Sequence, residues 1–288
     1  NIWIRTNRGA MSLIDEDGRV NSNTDHFTDA LLNGDVRSIT EDTHGNIWIG
    51  FYGDGVYSYS PTTKKFKRQF NDSTAAEQLK SDVVFAIKAD RKGSIWIGTR
   101  GGGLCTFHPE KNKFKRYTDK DGLSNNTINA ILIDNNQNVW TSTNAGISKY
   151  NVERGKFYNY DVFDGLQEGQ FKSGSALYNE LGGYMCMGGT LGLNIFYPDQ
   201  ISDRLKKPEI MLTGLALFNK PIKINDSMDG HPVLTQVMSR TQHIQLRNDQ
   251  NVLTFEFVGL NFSYPEKNIY AYKLEGFDED WNFVGQEA

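Results

Sequence analysis

A tryptophan-centred stretch recurs along this chain and limits the folds open to it more than any other feature. The best copies lie at residues 45–50 and 93–98, and each reads Gly-x-Ile-Trp-Ile-Gly. Related copies lie at residues 2–4, 139–142 and, in a degenerate form, 184–188. The aromatic positions are 44 to 48 residues apart. A repeat of this length with several strands in each unit is typical of a β-propeller.

The unit around Trp96 contains four candidate strands, at residues 83–90, 94–99, 103–107 and 113–117. Each alternates apolar and polar residues, which is the pattern of a strand with one buried face. The blades of a propeller pack face to face, and a large flat side chain fills the space between two of them. We therefore expect Trp48, Trp96 and Trp140 to be core residues and not a ligand platform.

Three aspartates recur at equivalent positions, just before the turn that joins the first and second strands of a unit. They are Asp42, Asp90 and Asp134. Three carboxylates in register resemble a catalytic cluster, but their regular repetition favours a structural role. Aspartate side chains commonly accept hydrogen bonds from the backbone of the turn that follows them. We expect all three to cap the hairpin backbone.

Composition restricts the partners and the compartment. The chain has 35 acidic and 31 basic residues, a net charge of −4, and no basic stripe, so nucleic acid is not an expected partner. No run of about 18 apolar residues is present, so we expect no membrane span within the chain. Cys105 and Cys186 alternate with apolar residues in non-adjacent units, which predicts two buried free thiols.

The composition changes near residue 200, where a charged segment at 203–208 precedes a new series of strands. We expect residues 1–204 to form β-propeller repeats, the C-terminal part of a larger propeller. Residues 205–288 are expected to form a second domain, an immunoglobulin-like β-sandwich that is truncated. Its candidate strands are residues 209–218, 233–238, 243–246, 252–260 and 269–274. The expected fold class is all-β, with about five propeller blades followed by the incomplete sandwich.

Two stretches resemble a known family when they are taken in order. Residues 83–104 resemble the regulator-propeller repeat of hybrid two-component sensors from polysaccharide-degrading bacteria. Residues 261–281 resemble the triple-tyrosine domain that follows such propellers, with Tyr270 and Tyr272 as two of its eponymous tyrosines. The chain is thereby identified as a member of this family, and it opens inside a strand, as expected of a piece of a longer protein.

The resemblance implies a periplasmic sensor region of an inner-membrane protein. In such a protein, an oligosaccharide derived from a glycan binds outside the membrane. A histidine kinase and response regulator then respond across the membrane and control polysaccharide-utilisation genes. The implied partners are the oligosaccharide and a second protomer of a homodimer. The kinase itself would lie in domains that this chain does not contain, so no enzyme activity is expected here.

Ligand-binding residues are expected on the propeller face that carries the longer loops. There the connections between second and third strands, and between successive blades, present aromatic, basic and amide side chains over glycine-rich backbone. The candidates are Tyr52, Asp54, Arg100, Lys120 and Asn144. Aromatic rings would contact sugar faces, and the polar groups would bind hydroxyls.

No catalytic constellation, metal site or cofactor site is expected from the residues. None of the five histidines is paired at a metal-ligand spacing, and no pair of unlike carboxylates of the glycosidase kind is evident. Two alternatives to a sensor remain open at this point. One is a propeller-type carbohydrate-active enzyme, and the other is a protein-interaction scaffold with a large apolar patch on one face.

Overall fold

The computed structural model describes residues 2–5, 11–14, 20–21, 34–70, 79–201, 209–228, 231–261, 265 and 268–285. These residues form 25 β-strands and five short 3₁₀ turns. The turns are Pro109–Lys111, Asp119–Asp121, Val162–Asp164, Pro198–Gln200 and Met238–Arg240. The chain divides into two compact units, Asn1–Asp203 and Arg204–Ala288.

Five antiparallel sheets follow one another along the first unit, one for each copy of the repeat, and we refer to them as blades 1 to 5. Blade 1 contains β1 (Ile2–Arg5), β2 (Met11–Ile14) and β3 (Val20–Asn21). Blade 2 contains β4 (Val36–Glu41), β5 (Ile47–Phe51), β6 (Val56–Ser60) and β7 (Lys65–Gln69). Blade 3 contains β8 (Val84–Ala89), β9 (Ile95–Thr99), β10 (Leu104–His108) and β11 (Lys113–Tyr117).

Blades 4 and 5 continue the series. Blade 4 contains β12 (Ile128–Ile133), β13 (Val139–Thr143), β14 (Gly146–Asn151) and β15 (Lys156–Tyr160). Blade 5 contains β16 (Phe171–Asn179), β17 (Tyr184–Gly189) and β18 (Leu193–Phe196). The strands of each blade pair in sequence order, and the first strands of blades 2 to 5 contact one another in turn. The expected all-β fold with about five propeller blades is confirmed.

The three tryptophans lie between blades. Trp48, Trp96 and Trp140 are 3%, 4% and 0% exposed. Each belongs to an apolar cluster that extends into the next blade: Trp48 packs with Ile97 of blade 3, Trp96 with Ile128 of blade 4 and Trp140 with Met187 of blade 5. Burying a ring of on the order of 200 Å² is worth about 5 kcal/mol at ~25 cal/mol per Å². Their expected role as core residues is confirmed.

Each recurrent aspartate binds the turn and the tryptophan together. Asp42 Oδ1 accepts hydrogen bonds from the backbone N–H groups of His44 and Asn46, both at 2.9 Å. Its Oδ2 accepts one from Trp48 Nε1 at 2.8 Å. The expected capping role is confirmed, and the bond to the indole is an addition that the sequence did not reveal.

The same arrangement recurs in the next two blades. Asp90 accepts from two backbone N–H groups of its turn and from Trp96 Nε1 at 2.9 Å. Asp134 accepts from a backbone N–H group and from Trp140 Nε1 at 2.9 Å. A buried indole N–H needs an acceptor, and the aspartate supplies it from the preceding turn. The carboxylate therefore fixes both the hairpin and the orientation of the ring that separates the blades.

Blades approach closely where a glycine follows the tryptophan motif. A Cβ atom at Gly50 would lie 2.7 Å from a side-chain carbon of Val84, and one at Gly98 would lie 2.6 Å from a side-chain carbon of Ile128. The contact residues belong to the first strand of the next blade in both cases. Glycine at these two positions therefore lets the inner strands of neighbouring blades pack together.

Blade 5 departs from the pattern on its outward face. Cys186 pairs with Leu177 and Ile195 in the same register in which Trp140 pairs with Leu132 and Lys149 in blade 4. The thiol is therefore at the tryptophan position. Cys105 and Cys186 are both free, as expected, but only Cys105 is buried. The expectation of a buried Cys186 is wrong, because its face has no following blade among the described residues.

A second position on the same face shows the difference in numbers. This position is the third-strand residue that pairs with the glycine or serine two residues after the tryptophan position. It is occupied by Val56 in blade 2, Leu104 in blade 3, Ile147 in blade 4 and Leu193 in blade 5. The first three are at most 1% exposed, whereas Leu193 is 58% exposed. Burial at this position is thus a property of the contact with the next blade and not of the blade itself.

The second unit is also all-β. Its strands are β19 (Glu209–Leu217), β20 (Lys220–Pro221), β21 (Ser227–Met228), β22 (His231–Pro232), β23 (Leu253–Leu260), β24 (Tyr270–Tyr272) and β25 (Asn282–Gly285). β19 pairs with both β20 and β23 in one sheet, and two further pairs, β21 with β22 and β24 with β25, complete the described strands. The assignment of this unit as a truncated immunoglobulin-like domain stays a prediction.

Two expected strands of this unit are wrong. Residues 233–238 and 243–246 are not strands. Leu234 and Met238 instead pack side by side against Leu215 of β19, and a 3₁₀ turn begins at Met238. The apolar residues of this segment therefore anchor an irregular chain to the sheet without joining its ladder.

We predict that Asp90→Ala destabilises the protein by about 1–3 kcal/mol. The substitution leaves the buried indole N–H of Trp96 without an acceptor and removes two hydrogen bonds from the turn. Urea unfolding followed by tryptophan fluorescence measures the change. Glu153→Ala, in an exposed turn of blade 4, is the matched control and should change stability by less than about 0.5 kcal/mol. Equal effects of the two substitutions would contradict the structural role of Asp90.

We also predict a pH dependence that comes from Asp42. Burial raises the pKa of this carboxyl, but hydrogen bonds from Trp48, Asn46 and His44 outweigh burial, and the pKa lies below its ordinary value of 3.8. The Asp42 carboxyl binds a proton more readily in the unfolded protein than in the folded one. The contribution of Asp42 to stability is therefore complete above pH 3.8 and is lost as pH falls through the folded-state pKa.

Asp42→Asn removes this contribution at all pH values. The difference in unfolding free energy between the native protein and the variant should therefore be largest near pH 6 and should shrink toward pH 3. Urea titrations at both pH values measure it. A difference that stays constant over this range would show that the charge of Asp42 makes no contribution.

Candidate functional site

Two structurally equivalent positions recur where the first strand of each blade begins. Val36, Val84, Ile128 and Phe171 pair with the last residue of the second strand of the same blade. The residue that follows each member of such a pair is a ring position. One lies at the start of the first strand, and the other lies at the start of the loop to the third strand. We name these eight positions the loop-face ring: Arg37, Phe85, Asn129 and Lys172 on the strands, and Tyr52, Arg100, Asn144 and Thr190 on the loops.

The frame beneath the ring has a buried anchor residue in each of the four blades. Val36, Val84 and Ile128 are fully buried, and Phe171 is 3% exposed. Backbone hydrogen bonds join the loop to the residue that precedes the first strand: Tyr52 N–H to the Asp35 carbonyl at 2.8 Å and Arg100 N–H to the Val83 carbonyl at 2.9 Å. Thr190 N–H makes the same bond to the Gln170 carbonyl. The backbone positions are therefore fixed, while the side chains they present differ in chemistry.

Between blades 2 and 3, the other residues of the loop-face ring all contact Tyr52. Arg100 Nη1 donates a hydrogen bond to Tyr52 Oη at 3.0 Å. The guanidinium carbon of Arg37 lies 4.9 Å from the centroid of the Tyr52 ring, and the Phe85 ring centroid lies 6.1 Å from it. Arg37 also forms an ion pair with Asp35. The phenol is thus held by groups from two blades and remains 40% exposed.

The ring continues on blades 4 and 5 with amides, a hydroxyl and a lysine. Asn129 is 4% exposed, and its Nδ2 donates to Asn144 Oδ1 at 3.0 Å. Lys172 is exposed at the start of β16. Beside Asn144, an open cavity of about 260 Å³ lies between the loops of the two blades, and Gln167 and Gln170 line it. The ring positions here are therefore neutral except for Lys172, and Asp161 adds a carboxylate to the cavity lining.

The candidates named from sequence separate into two sets. Tyr52 and Arg100 are in direct contact, and Asn144 occupies the equivalent position of blade 4. Asp54 and Lys120 lie outside the ring: Asp54 lies two residues beyond Tyr52 and offers its carbonyl to Arg68 Nε at 3.2 Å, and Lys120 lies on the exposed turn Asp119–Asp121. A ligand-binding role for each of the five residues stays a prediction.

Sequence reasoning missed the strand half of the ring. Arg37, Phe85, Asn129 and Lys172 were not among the candidates, since they lie inside strands and not in loops. The signal is present in the sequence, because each follows the first buried residue of a first strand. Aligning the repeats on that buried residue brings the four side chains to one position.

The described residues contain no group of three or more His, Cys, Asp or Glu side chains that could hold a metal ion. In the same part of the chain, no helix has the length and apolar character needed to cross a membrane.

Comparison with known proteins identifies the repeat. Residues 30–53, 78–101 and 122–145 match the family described as Two component regulator propeller. These three segments are two-component regulator propeller repeats. The three matched segments include the ring positions of blades 2, 3 and 4. The resemblance inferred from residues 83–104 is thereby confirmed.

Two solved structures that are similar to this chain are extracellular domains of hybrid two-component systems. The extracellular domain of the hybrid two-component system BT3049 from B. thetaiotaomicron is 28% identical, with a TM-score of 0.72, over 98% of this chain and 38% of that chain. The extracellular domain of BT4673 from the same organism is 23% identical with a TM-score of 0.52, covers 99% of this chain and 37% of that chain, and supports the fold alone. The expected extracytoplasmic location agrees with the BT3049 domain.

A curated relative points to the same system. The protein named Histidine kinase P4 from Formosa agariphila is 31% identical over 162 residues, which are 56% of this chain and 12% of that protein. The chain therefore spans about an eighth of this relative and less than two fifths of the solved domains. It corresponds to a part of each of these proteins and not to the whole of any of them.

Proposed function

We propose that this regulator propeller is part of the ligand-sensing region of a hybrid two-component system, and that its ligand is an oligosaccharide derived from a glycan. The observation that carries the proposal is the loop-face ring, in which a buried anchor residue in each blade supports side chains of different chemistry. A frame of this kind suits recognition, because the ring positions can vary without disturbing the buried anchors beneath them.

The chemistry of the ring suits a polyhydroxylated ligand. Tyr52 offers a partly exposed ring edge and a hydroxyl, Arg100 offers an exposed guanidinium, and Asn144 offers an amide. Sugars combine an apolar ring face with many hydroxyls, and they are bound by aromatic contact together with such donors and acceptors. Arg37 covers one face of Tyr52, so the sugar would meet the free edge and hydroxyl of the phenol.

The role beyond binding also belongs to the proposal. The parent would be anchored in the membrane, act as a homodimer and pass the binding signal to a histidine kinase and response regulator that control polysaccharide-utilisation genes. The names of the relatives, a histidine kinase and extracellular domains of hybrid two-component systems, support this reading. A ligand can shift such a system only by binding one arrangement of the sensor better than another.

A binding role fits the acidic residues better than a catalytic one. The buried carboxylates among the described residues are Asp42, Asp90 and Asp134. All three accept hydrogen bonds from an indole and from a turn, so they are occupied in holding the blades. They do not form the close pair of unlike carboxyl groups that glycoside hydrolysis requires.

We predict that Tyr52→Ala weakens oligosaccharide binding by about tenfold, which corresponds to about 1.4 kcal/mol. The substitution removes the exposed ring edge and the hydroxyl that positions Arg100. Isothermal titration of the whole extracytoplasmic region that contains this chain, against a panel of glycan-derived oligosaccharides, measures the change.

Tyr158→Ala is the matched control. Tyr158 accepts a hydrogen bond from Arg154 Nη1 at 3.2 Å, but it lies on the fourth strand of blade 4, outside the ring. Its removal should leave affinity within twofold. Heat signals that are absent for every oligosaccharide would reject the proposed function, and equal losses in the two variants would reject the ring as the site.

A further inference from the structure

The loop-face ring carries positive charge in a chain that is acidic overall. Three of its eight positions are cationic, namely Arg37, Arg100 and Lys172, and none is acidic. The whole chain has 35 acidic against 31 basic residues and a net charge of −4. The concentration of cations at one set of equivalent positions is therefore opposite in sign to the average of the molecule.

The cations of the ring are only partly compensated. Arg37 pairs with Asp35 through Nη2, but its Nε is enclosed and has no hydrogen-bond partner. Arg100 donates to a neutral phenol. Among the described residues, neither Arg100 nor Lys172 forms an ion pair with a carboxylate.

Neighbouring acidic groups do not cancel this charge. Asp54 and Asp82 lie in the loops beside Tyr52, and backbone N–H groups of Gly53 and Gly55 bind the carbonyl of Asp82. Neither carboxylate lies within ion-pair distance of Arg100. Asp35 pairs with Arg37 and with neither of the other two cations. Two of the three cations thus face the loop side of the propeller with their charge available.

The guanidinium groups are also placed for an anion. Arg37 and Arg100 come from different blades and meet at the same phenol, one over its face and one at its hydroxyl. The hydrogen bond fixes Arg100 with part of its fork of N–H donors still free. Such a planar fork matches a carboxylate or a sulfate, which it binds with two parallel hydrogen bonds.

We propose that the ligand of the loop-face ring is an acidic oligosaccharide, whose carboxylate or sulfate ester is bound by Arg100 with support from Arg37 and Lys172. The inference rests on the proposed function and adds the charge of the sugar to it. Uncharged parts of the ligand would lie beside Asn144, whose amide oxygen accepts a hydrogen bond from the buried Asn129.

The test uses pairs of oligosaccharides that differ only in charge. An oligogalacturonide is compared with its methyl ester, and a sulfated galactan oligosaccharide with its desulfated form, by isothermal titration of the whole extracytoplasmic region. We expect at least one acidic member to bind about tenfold or more tightly than its neutral counterpart. The pair that shows the preference distinguishes a carboxylate from a sulfate. Raising the salt from 0.05 to 0.3 M should reduce that preference, because the screening length falls from above about 10 Å to below it.

Variants assign the preference to the ring. Arg100→Gln should reduce the preference for the acidic member by about tenfold, and Lys172→Gln should reduce it by a smaller factor. Arg91→Gln and Lys92→Gln are the matched controls, since both residues are exposed in the turn between β8 and β9, away from the ring. The controls should bind like the native protein. Thermal melting verifies that each variant is folded.

The outcomes separate this inference from the function on which it rests. If neutral members bind as tightly as acidic ones, the acidic ligand is rejected while oligosaccharide sensing stands. If Arg100→Gln keeps the full preference, binding of the anionic group by Arg100 is rejected. If no oligosaccharide of either charge binds, both are rejected.

Discussion

The hydrogen bond from a buried indole to the aspartate of the preceding turn is the interaction on which the propeller depends. It occurs in blades 2, 3 and 4 at 2.8 to 2.9 Å. The same carboxylate holds the turn, so one side chain couples the local hairpin to the packing of two blades. A buried N–H without an acceptor destabilises the fold. The aspartate supplies the acceptor, so a tryptophan can separate the blades without this loss of stability. The inner strands, and the loops they carry, take their positions from this spacing.

Much of the architecture could be predicted from the sequence because it is repeated. The period of the tryptophan motif predicts the blades, and the alternation around Trp96 predicts its four strands. The bond between Asp90 and Trp96 could not be predicted, because it depends on how a hairpin turn folds over a ring six residues later. In the second unit, Leu234 and Met238 mimic a strand pattern but pack from an irregular segment. Alternation of apolar residues alone cannot distinguish a strand from an irregular segment, since side chains from both kinds of backbone can pack into the core.

The candidate site shows a second limit of prediction from sequence. Loop residues such as Tyr52 and Arg100 attract notice in a sequence because turns are where ligands are often bound. Arg37 and Phe85 do not, since a strand residue is normally assigned to packing. The Arg37 contact with Tyr52 depends on how the first two strands of blade 2 pair, and the Phe85 contact becomes evident only when blades 2 and 3 are placed side by side. A site shared between repeats is encoded in equivalent positions of several units and not in any one motif.

The outward face of blade 5 makes Cys186 a chemical reporter. The other cysteine, Cys105, is fully buried, and burial raises the pKa of its thiol to about 12, so it is inert to alkylating reagents. Cys186 occupies the tryptophan position of a face that is open among the described residues, beside the exposed Leu193. Any protein segment that packs there as blades pack elsewhere would cover the sulfur. The rate of its alkylation therefore measures, in the intact sensor, whether the ring of blades is closed at this point.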